Sequence, residues 1–460
     1  MAAAQRILVV LDDDPTGTQS VHDLPVLTRW EVADLRWAFD QAPAAVYVLT
    51  NSRSLEPADA ARRNEEVARA ALEAAAQRGV DIGFVSRSDS TLRGHFPLET
   101  DVLDRVQREV TGAGADAVVL VPAFPEAGRV TIDGTHHLRA ADGTLTPAGE
   151  SEFARDASFG YTASHLPGWV EEKSAGRIRA ADVRVLDLAL LRGGPEGVAA
   201  ALREPGTAPR CVVADAEHED DLRALAAGLE LAEAQGLRVI HRVGPPFVRA
   251  RIGQEPRSPL TADEVYAGQD PAERTPGGLI VVGSHVGLTT RQLERLHAGH
   301  GAARTVELDV PTLLEEDSRA QHLRDRVAEI VAALAHGDVV VHTSRTLVRT
   351  EDADGSLRIA RAVSSAVVET VQRVLAAAPP RFVIAKGGIT SSDVAAHGLE
   401  IRRAVVRGPM LPGIVSLWQA VDGPARGIPY VVFAGNVGDD DSLLQVTRTL
   451  SATASEGASA

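Results

Sequence analysis

Three carboxylates in succession, Asp12, Asp13 and Asp14, interrupt the segment LVVLDDDPTGTQS and are followed by Pro15, Thr16 and Gly17. Adjacent carboxylates repel one another. A fold holds them together when a cation, a ligand or hydrogen-bond donors offset the repulsion. The same residue types also make an ordinary solvated turn, so the rest of the chain has to decide. Three further polar groups follow apolar runs in the first half. VLTNSRSL carries Asn51, Ser52 and Arg53; VSRSDSTLRGHFPLET carries Asp89, Ser90, Thr91 and Arg93; VPAFPEAGRVTIDG carries Arg129. Guanidinium offers a planar fork to a carboxylate, and the Ser90 and Thr91 hydroxyls suit a polyol. Each Arg alone reads as a solvated surface residue. The repeated pattern points instead to a site for a small hydroxylated anion, rimmed by acids.

The second half carries a different signature. LIVVGSHVGLTTRQLERL reads as a strand, a loop with Gly283, Ser284 and Gly287, and a helix capped by Thr289 or Thr290. FVIAKGGITSSDVAAHGL reads as a strand, the loop Gly387, Gly388, Ile389 and Thr390, then a helix start. YVVFAGNVGDDDSLLQVTRTL places Gly435 and Gly438 between a strand and the last helix. Glycines let backbone approach phosphate closely, and helix N-terminal N–H groups attract anions. Glycine before a helix is often only a tight turn, but three such loops together point to a nucleotide. Neither GxxxxGK[ST] nor a strict GxGxxG occurs, which excludes a Walker ATPase and an ordinary dinucleotide fold.

The elements that must position these residues are short Val- and Ile-rich runs alternating with Ala-, Leu-, Arg- and Glu-rich helical stretches. One helix is expected from Pro57 to Gly79. Fully apolar strands between helices indicate parallel sheets covered on both faces. The fold class expected is α/β, two α/β domains with largely parallel sheets and an inter-domain cleft. The domains are expected at 1–245 and 276–450, with the boundary in the Pro- and Gly-rich stretch 244–278. Residues 135–179 break the pattern and read as an irregular excursion or a small antiparallel element.

The chain has 460 residues and a formal net charge of −16. That balance is unsuited to the phosphate backbone of nucleic acid, so no nucleic-acid partner is expected. Basic charge is carried by Arg apart from Lys173 and Lys386. The single Cys211 excludes an intramolecular disulfide and suits a cytoplasmic setting. Its strand-like surroundings make it buried and inert. The apolar start is too short for a signal peptide, and no run of about 18 apolar residues spans a membrane. Pairing into a homodimer is compatible with the sequence.

Taken together, DDPTG, SRSDSTLRG, VPAFPEAGR, VVGS, KGGITSSDV and AGNVGDDDSL resemble the four-carbon acid sugar kinase family over nearly the whole chain. The resemblance implies ATP-dependent phosphorylation of a sugar acid such as threonate or erythronate, with Mg²⁺. An N-terminal domain would hold the acid and a C-terminal domain the nucleotide. It implies substrate contacts at Asp13, Arg53, Ser90, Thr91 and Arg93; the strand-end pattern adds Arg129, and the carboxylate is expected on Arg93 helped by Arg53. Asp14 is the implied catalytic carboxylate, with Asp89 as its rival. Nucleotide contacts are implied at Ser284, Gly387, Gly388, Ile389, Thr390 and Gly435; no metal ligand among the side chains is implied. Two departures stand out. Asp12 and Pro15 alter the usual acid pair, and Ile389 replaces a glutamate often found there.

Two other classes fit less of the chain. Asp12, Asp14 and Thr16 satisfy the D-x-D-x-T of a haloacid-dehalogenase-type phosphatase, with Lys386 and Gly438–Asp441 as later motifs, but that leaves SRSDSTLRG and GGITSS unexplained. A non-catalytic two-domain protein that closes on a sugar acid would bind that acid without affinity for nucleotide. His22, His136 and His137 lack metal-ligand spacing and read as exposed loop residues. Asp439–Asp441 read as a helix N-terminus, and Trp30, Trp37, Trp169 and Trp418 as packing residues.

Overall fold

A computed structural model describes residues 6–204, 209–268, 274–301, 304–345 and 353–452, with the side chains of 353–357 outside the description. The chain divides into two compact units, Met1–Pro256 and Arg257–Ala460. The first contains strands β1 (Ile7–Asp12), β2 (Leu24–Leu27), β3 (Ala45–Leu49), β4 (Ile82–Arg87) and β5 (Ala117–Val121). It continues with β6 (Arg129–Ile132), β7 (Thr135–Arg139), β8 (Leu145–Pro147), β9 (Arg184–Leu186), β10 (Arg210–Ala214) and β11 (Val239–Val243). The main sheet runs β2-β3-β1-β4-β11-β5-β10-β9, and its pairs are parallel. β6, β7 and β8 form a separate antiparallel sheet, so the excursion is in part an ordered antiparallel element.

The second unit contains β12 (Leu279–Val282), β13 (Arg304–Leu308), β14 (Val339–Thr343), β15 (Val383–Lys386), β16 (Arg403–Leu411), β17 (Ile414–Ala420) and β18 (Pro429–Phe433). Their order is β13-β14-β12-β15-β18-β17-β16. β13 to β18 in that order are parallel, while β17 is antiparallel to both neighbours, with a bulge between Val406 and Gly408.

Sequence patterning explains the cores. In the helix Pro57–Arg78, Ala60, Asn64, Val67, Ala68, Ala71, Ala74 and Ala75 are buried, a spacing that puts them on one helical face. That face packs with Val9, Leu11, Val46, Val48 and Phe84 of the sheet. Pro57 opens the helix and Gly79 closes it at φ 65°, a left-handed cap that glycine adopts readily. Trp169 and Trp418 are fully buried, and Trp30 and Trp37 pack against a core. Cys211 is buried, and burial pushes its thiol up to about 12.

In each unit the chain reverses direction across the sheet. β1 lies between β3 and β4, and β12 lies between β14 and β15. At such reversals the loops leaving neighbouring strands diverge, and ligands of open α/β sheets bind there. The DDDPTG and SRSDSTLRG segments leave β1 and β4, and GSHVG and GGITSS leave β12 and β15.

Candidate functional sites

The acidic run is neither a solvated turn nor three free carboxylates. Asp12 and Asp13 are each 1% exposed. Asp12 is ion-paired with the buried Arg87, and its backbone carbonyl accepts from the Thr50 amide and hydroxyl. Burial pushes its carboxyl up to about 7 despite Arg87. Asp13 takes a bidentate contact from Arg53, Nε at 3.0 Å and a terminal nitrogen at 2.6 Å. Burial raises its pKa against the pull of Arg53 and Arg87. Asp14 caps the helical turn Pro15–Ser20, and its Oδ1 accepts from the Thr16 amide at 2.9 Å and hydroxyl at 2.5 Å. Burial pushes Asp14 upward, but Arg53, Arg87 and Thr16 together bring it below the usual carboxylate range. Its Oδ2 lies 3.8 Å from Arg53, with a fifth of the side chain exposed. Gly17 is required here, because a Cβ would collide with Arg87 and the Asp12 carboxylate.

The loop after β4 is bound as tightly. Asp89 accepts from the Thr91 hydroxyl and from Arg93 Nε at 2.6 Å. Burial pushes Asp89 up, yet Arg53, Arg93 and those donors hold it far below its ordinary value. The Ser90 carbonyl is hydrogen-bonded to His136 Nε2 at 2.8 Å, and the Thr91 carbonyl accepts from Tyr161 Oη at 2.8 Å. Arg93 lies 3.6 Å from Asp156 and 5.1 Å from the centre of the Phe153 ring. Arg129 shares that ring at 6.0 Å.

Arg129 differs from the other arginines. It donates to the Ala127 carbonyl, its buried Nε has no partner, and no carboxylate pairs with it among the described residues. Burial lowers its pKa, with Asp89 opposing. Asp13, Asp14, Arg53, Asp89, Thr91, Arg93 and Arg129 are therefore linked by direct contacts, a shared ring or mutual electrostatic influence.

Several neighbours escaped the sequence reading. Beneath the site, Arg242 pairs with Glu99 and donates to Ser86 Oγ at 2.7 Å. Glu99 also accepts from Ser52 at 2.5 Å and Ser86 at 3.1 Å. Arg87 and Arg242 are charged residues inside apolar strands, and that was the available signal. Phe153 and Asp156 come from the excursion, whose return to the loop after β4 leaves no local pattern. His136 corrects an expectation: it is fully buried on β7, and burial lowers its pKa to about 4.

In the second unit the three glycine loops meet at backbone distance. A Cβ on Gly387 would stand 3.1 Å from Thr390 Oγ1 and 3.3 Å from Ser284 Cβ, and its φ of 126° favours glycine. A Cβ on Gly435 would stand 2.5 Å from Ser284 Oγ. Thr289 Oγ1 lies 3.1 Å from Ser284 Oγ and donates to the Gly435 carbonyl at 2.9 Å. Ser284, Gly387, Thr390 and Gly435 are thus brought together. Two local expectations change. The helix Gly287–Gly299 is capped by Val286, not by Thr289 or Thr290. Gly388, Ile389 and Thr390 form the first turn of the helix Gly388–Asp393 rather than a loop. Val286 and Ile389 expose apolar side chains, Ile389 by 60%. Asp440 and Asp441 pair with Arg291 and Arg295.

Among the described residues, no three His, Cys, Asp or Glu side chains gather to hold a metal ion, and no helix is long and apolar enough to cross a membrane.

Comparison with known proteins follows the same division. A family model described as a sugar-binding N-terminal domain matches residues 8–251, and one described as a nucleotide-binding C-terminal domain matches residues 279–443. The chain is 27% identical over 471 residues to D-erythronate kinase of Heliobacterium modesticaldum, covering 95% of each. It is 28% identical over 406 residues to D-threonate kinase of Bordetella bronchiseptica, covering 88% of this chain and 85% of that one. A crystal structure from Salmonella typhimurium LT2, described provisionally as a tRNA synthase, shares the fold with TM-score 0.69 at 19% identity, covering 96% of this chain and 99% of the other. A Haemophilus influenzae structure does so with TM-score 0.64 at 16% identity, covering 96% and 98%. With both halves matched in order, the chain belongs to the four-carbon acid sugar kinase family.

Proposed function

We propose that the protein transfers the γ-phosphate of ATP to a hydroxyl of a four-carbon sugar acid. The observation that carries this reading is Arg129, a guanidinium without a carboxylate partner in a cluster whose other arginines are neutralised. An acid substrate supplies the missing charge. Arg53 and Arg93, expected to bind the carboxylate, are already engaged by Asp13 and Asp89. They fit better as the frame that fixes the acids, with Arg129 taking the substrate carboxylate and Ser90 and Thr91 lining the polyol. The names of the erythronate and threonate kinases support the substrate class.

In this reading the substrate hydroxyl oxygen attacks the γ-phosphorus, the bond to the β,γ-bridging oxygen breaks, and ADP leaves. The hydroxyl proton passes to a carboxylate. Asp14 suits the role: Oδ1 is fixed by Thr16 while Oδ2 is less committed. Its lowered pKa keeps it ionised at neutral pH, so its main work is to orient the nucleophile. Asp89, saturated by Thr91 and Arg93, fits as an anchor of the loop. ATP would lie on Ser284, Gly387–Thr390 and Gly435, with Val286 and Ile389 offering apolar contact. Mg²⁺ would ride on the polyphosphate, where it commonly needs only one or two carboxylates. The phosphatase reading is disfavoured because its nucleophile, Asp12, is buried against Arg87.

The test is a screen of D-erythronate, D-threonate and related four-carbon acids with ATP, following ADP. ADP release that needs both the acid and ATP is expected. Phosphate release from a sugar phosphate without nucleotide would overturn the reading.

A further inference from the structure

Two cations at the carboxyl edge of the second unit's sheet form no ion pair among the described residues, and the mechanism above does not use them. Lys386 ends β15 and is fully buried. Its Nζ donates to the Ala434 carbonyl at 2.6 Å and stands 3.8 Å from the Phe433 ring centre. Arg345 follows β14. It donates to the Ser284 carbonyl at 2.5 Å and to the Thr290 hydroxyl at 2.7 Å, and its buried Nε is unpartnered. Among the described residues, neither forms an ion pair. For Lys386, burying charge without a counter-charge is strongly unfavourable, while the half-buried Arg345 keeps an unpartnered buried Nε. The nearby Arg291 and Arg295 do have acidic partners. β14, β12, β15 and β18 are adjacent and parallel, so Arg345, Ser284, Lys386 and Gly435 share one carboxyl edge of the sheet.

We propose that Arg345 and Lys386 are the charge-matching pair for the polyphosphate of the nucleotide, one on each side of Ser284. The inference rests on the kinase reading and assigns residues that it left idle. A polyanion brings the counter-charge that these two cations lack among the described residues. Burial alone lowers Lys386 to about 7. Of the titratable groups on elements beside it, the Tyr430 hydroxyl donates to the Ser391 carbonyl and Asp393 accepts from Ser364; β12 contributes none. A polyphosphate near Nζ favours the ammonium form, so binding above pH 7 takes up a proton.

Calorimetry on the full chain with adenosine, ADP and ATP tests this, using wild type, Arg345→Gln and Lys386→Met. Each substitution is expected to weaken ADP about tenfold or more while leaving adenosine within about twofold. At pH 8, wild type should show proton uptake on binding ADP, read from buffers of different ionisation heat, and Lys386→Met should not. Unaltered ADP affinity in both variants would overturn the assignment alone. No nucleotide binding by wild type would overturn the kinase reading with it. Should Lys386→Met not fold, the partly exposed Arg345→Gln decides by the same ADP-to-adenosine ratio.

Discussion

The carboxyl ends of the strands in the first unit gather acids and arginines that mostly answer one another: Asp12 with Arg87, Asp13 with Arg53, Asp89 with Arg93, Glu99 with Arg242. The corresponding ends in the second unit gather glycines, hydroxyls and two cations that form no ion pair among the described residues. Under the proposed function, the difference tracks what each ligand would bring. A small hydroxylated acid carries one charge and needs many fixed, oriented groups. A polyphosphate carries several charges and meets backbone and bare cations.

The largest effect that could break this contrast is on turnover. Asp14→Asn is expected to cut kcat by about 10²–10⁴-fold with ATP affinity held within about twofold; steady-state rates beside nucleotide titration check it. A loss of only a few-fold would remove Asp14 from its role. Next comes the paired network. Arg242→Met leaves Glu99 buried without its partner and should cost about 3–5 kcal/mol of stability, seen as a lower urea midpoint.

Removing a bare cation should act in the opposite sense. Lys386→Met should melt at higher temperature than wild type in the absence of nucleotide. The folded pKa, about 7, lies below the ordinary 10.5, so the folded state binds fewer protons between those values and wild-type stability rises with pH there. The advantage of the variant is therefore full below about pH 7 and fades toward pH 10.5. Melting curves from pH 6 to pH 10 would show parallel lines if Lys386 were not depressed. The smallest effect is at Asp156→Asn, which removes a partly exposed negative charge beside the cluster and should tighten acid binding by about threefold or less, read as KM.

Much of this was legible beforehand because it follows from local pattern. The apolar runs of β1, β3, β4, β5 and β12 stand out, and Pro57 with Gly79 marks a helix. The four polar strand ends of the first unit do converge, through contacts and electrostatic influence. What escaped depends on distant partners. β2 has only four residues, and β17 lies antiparallel beside a bulge. Glu99 matters because Ser52, Ser86 and Arg242 reach it from three other segments. That Asp13 neutralises Arg53 and Asp89 neutralises Arg93 depends on side-chain geometry that no local sequence pattern carries.

The most direct measurement compares D-erythronate with erythritol, its uncharged counterpart, as phosphate acceptors in wild type and Arg129→Gln. Expected is a strong wild-type preference for the acid, reduced about 10–100-fold in the variant by loss of acid turnover alone. An unchanged preference in Arg129→Gln would contradict the assignment of the unpaired guanidinium to the substrate carboxylate.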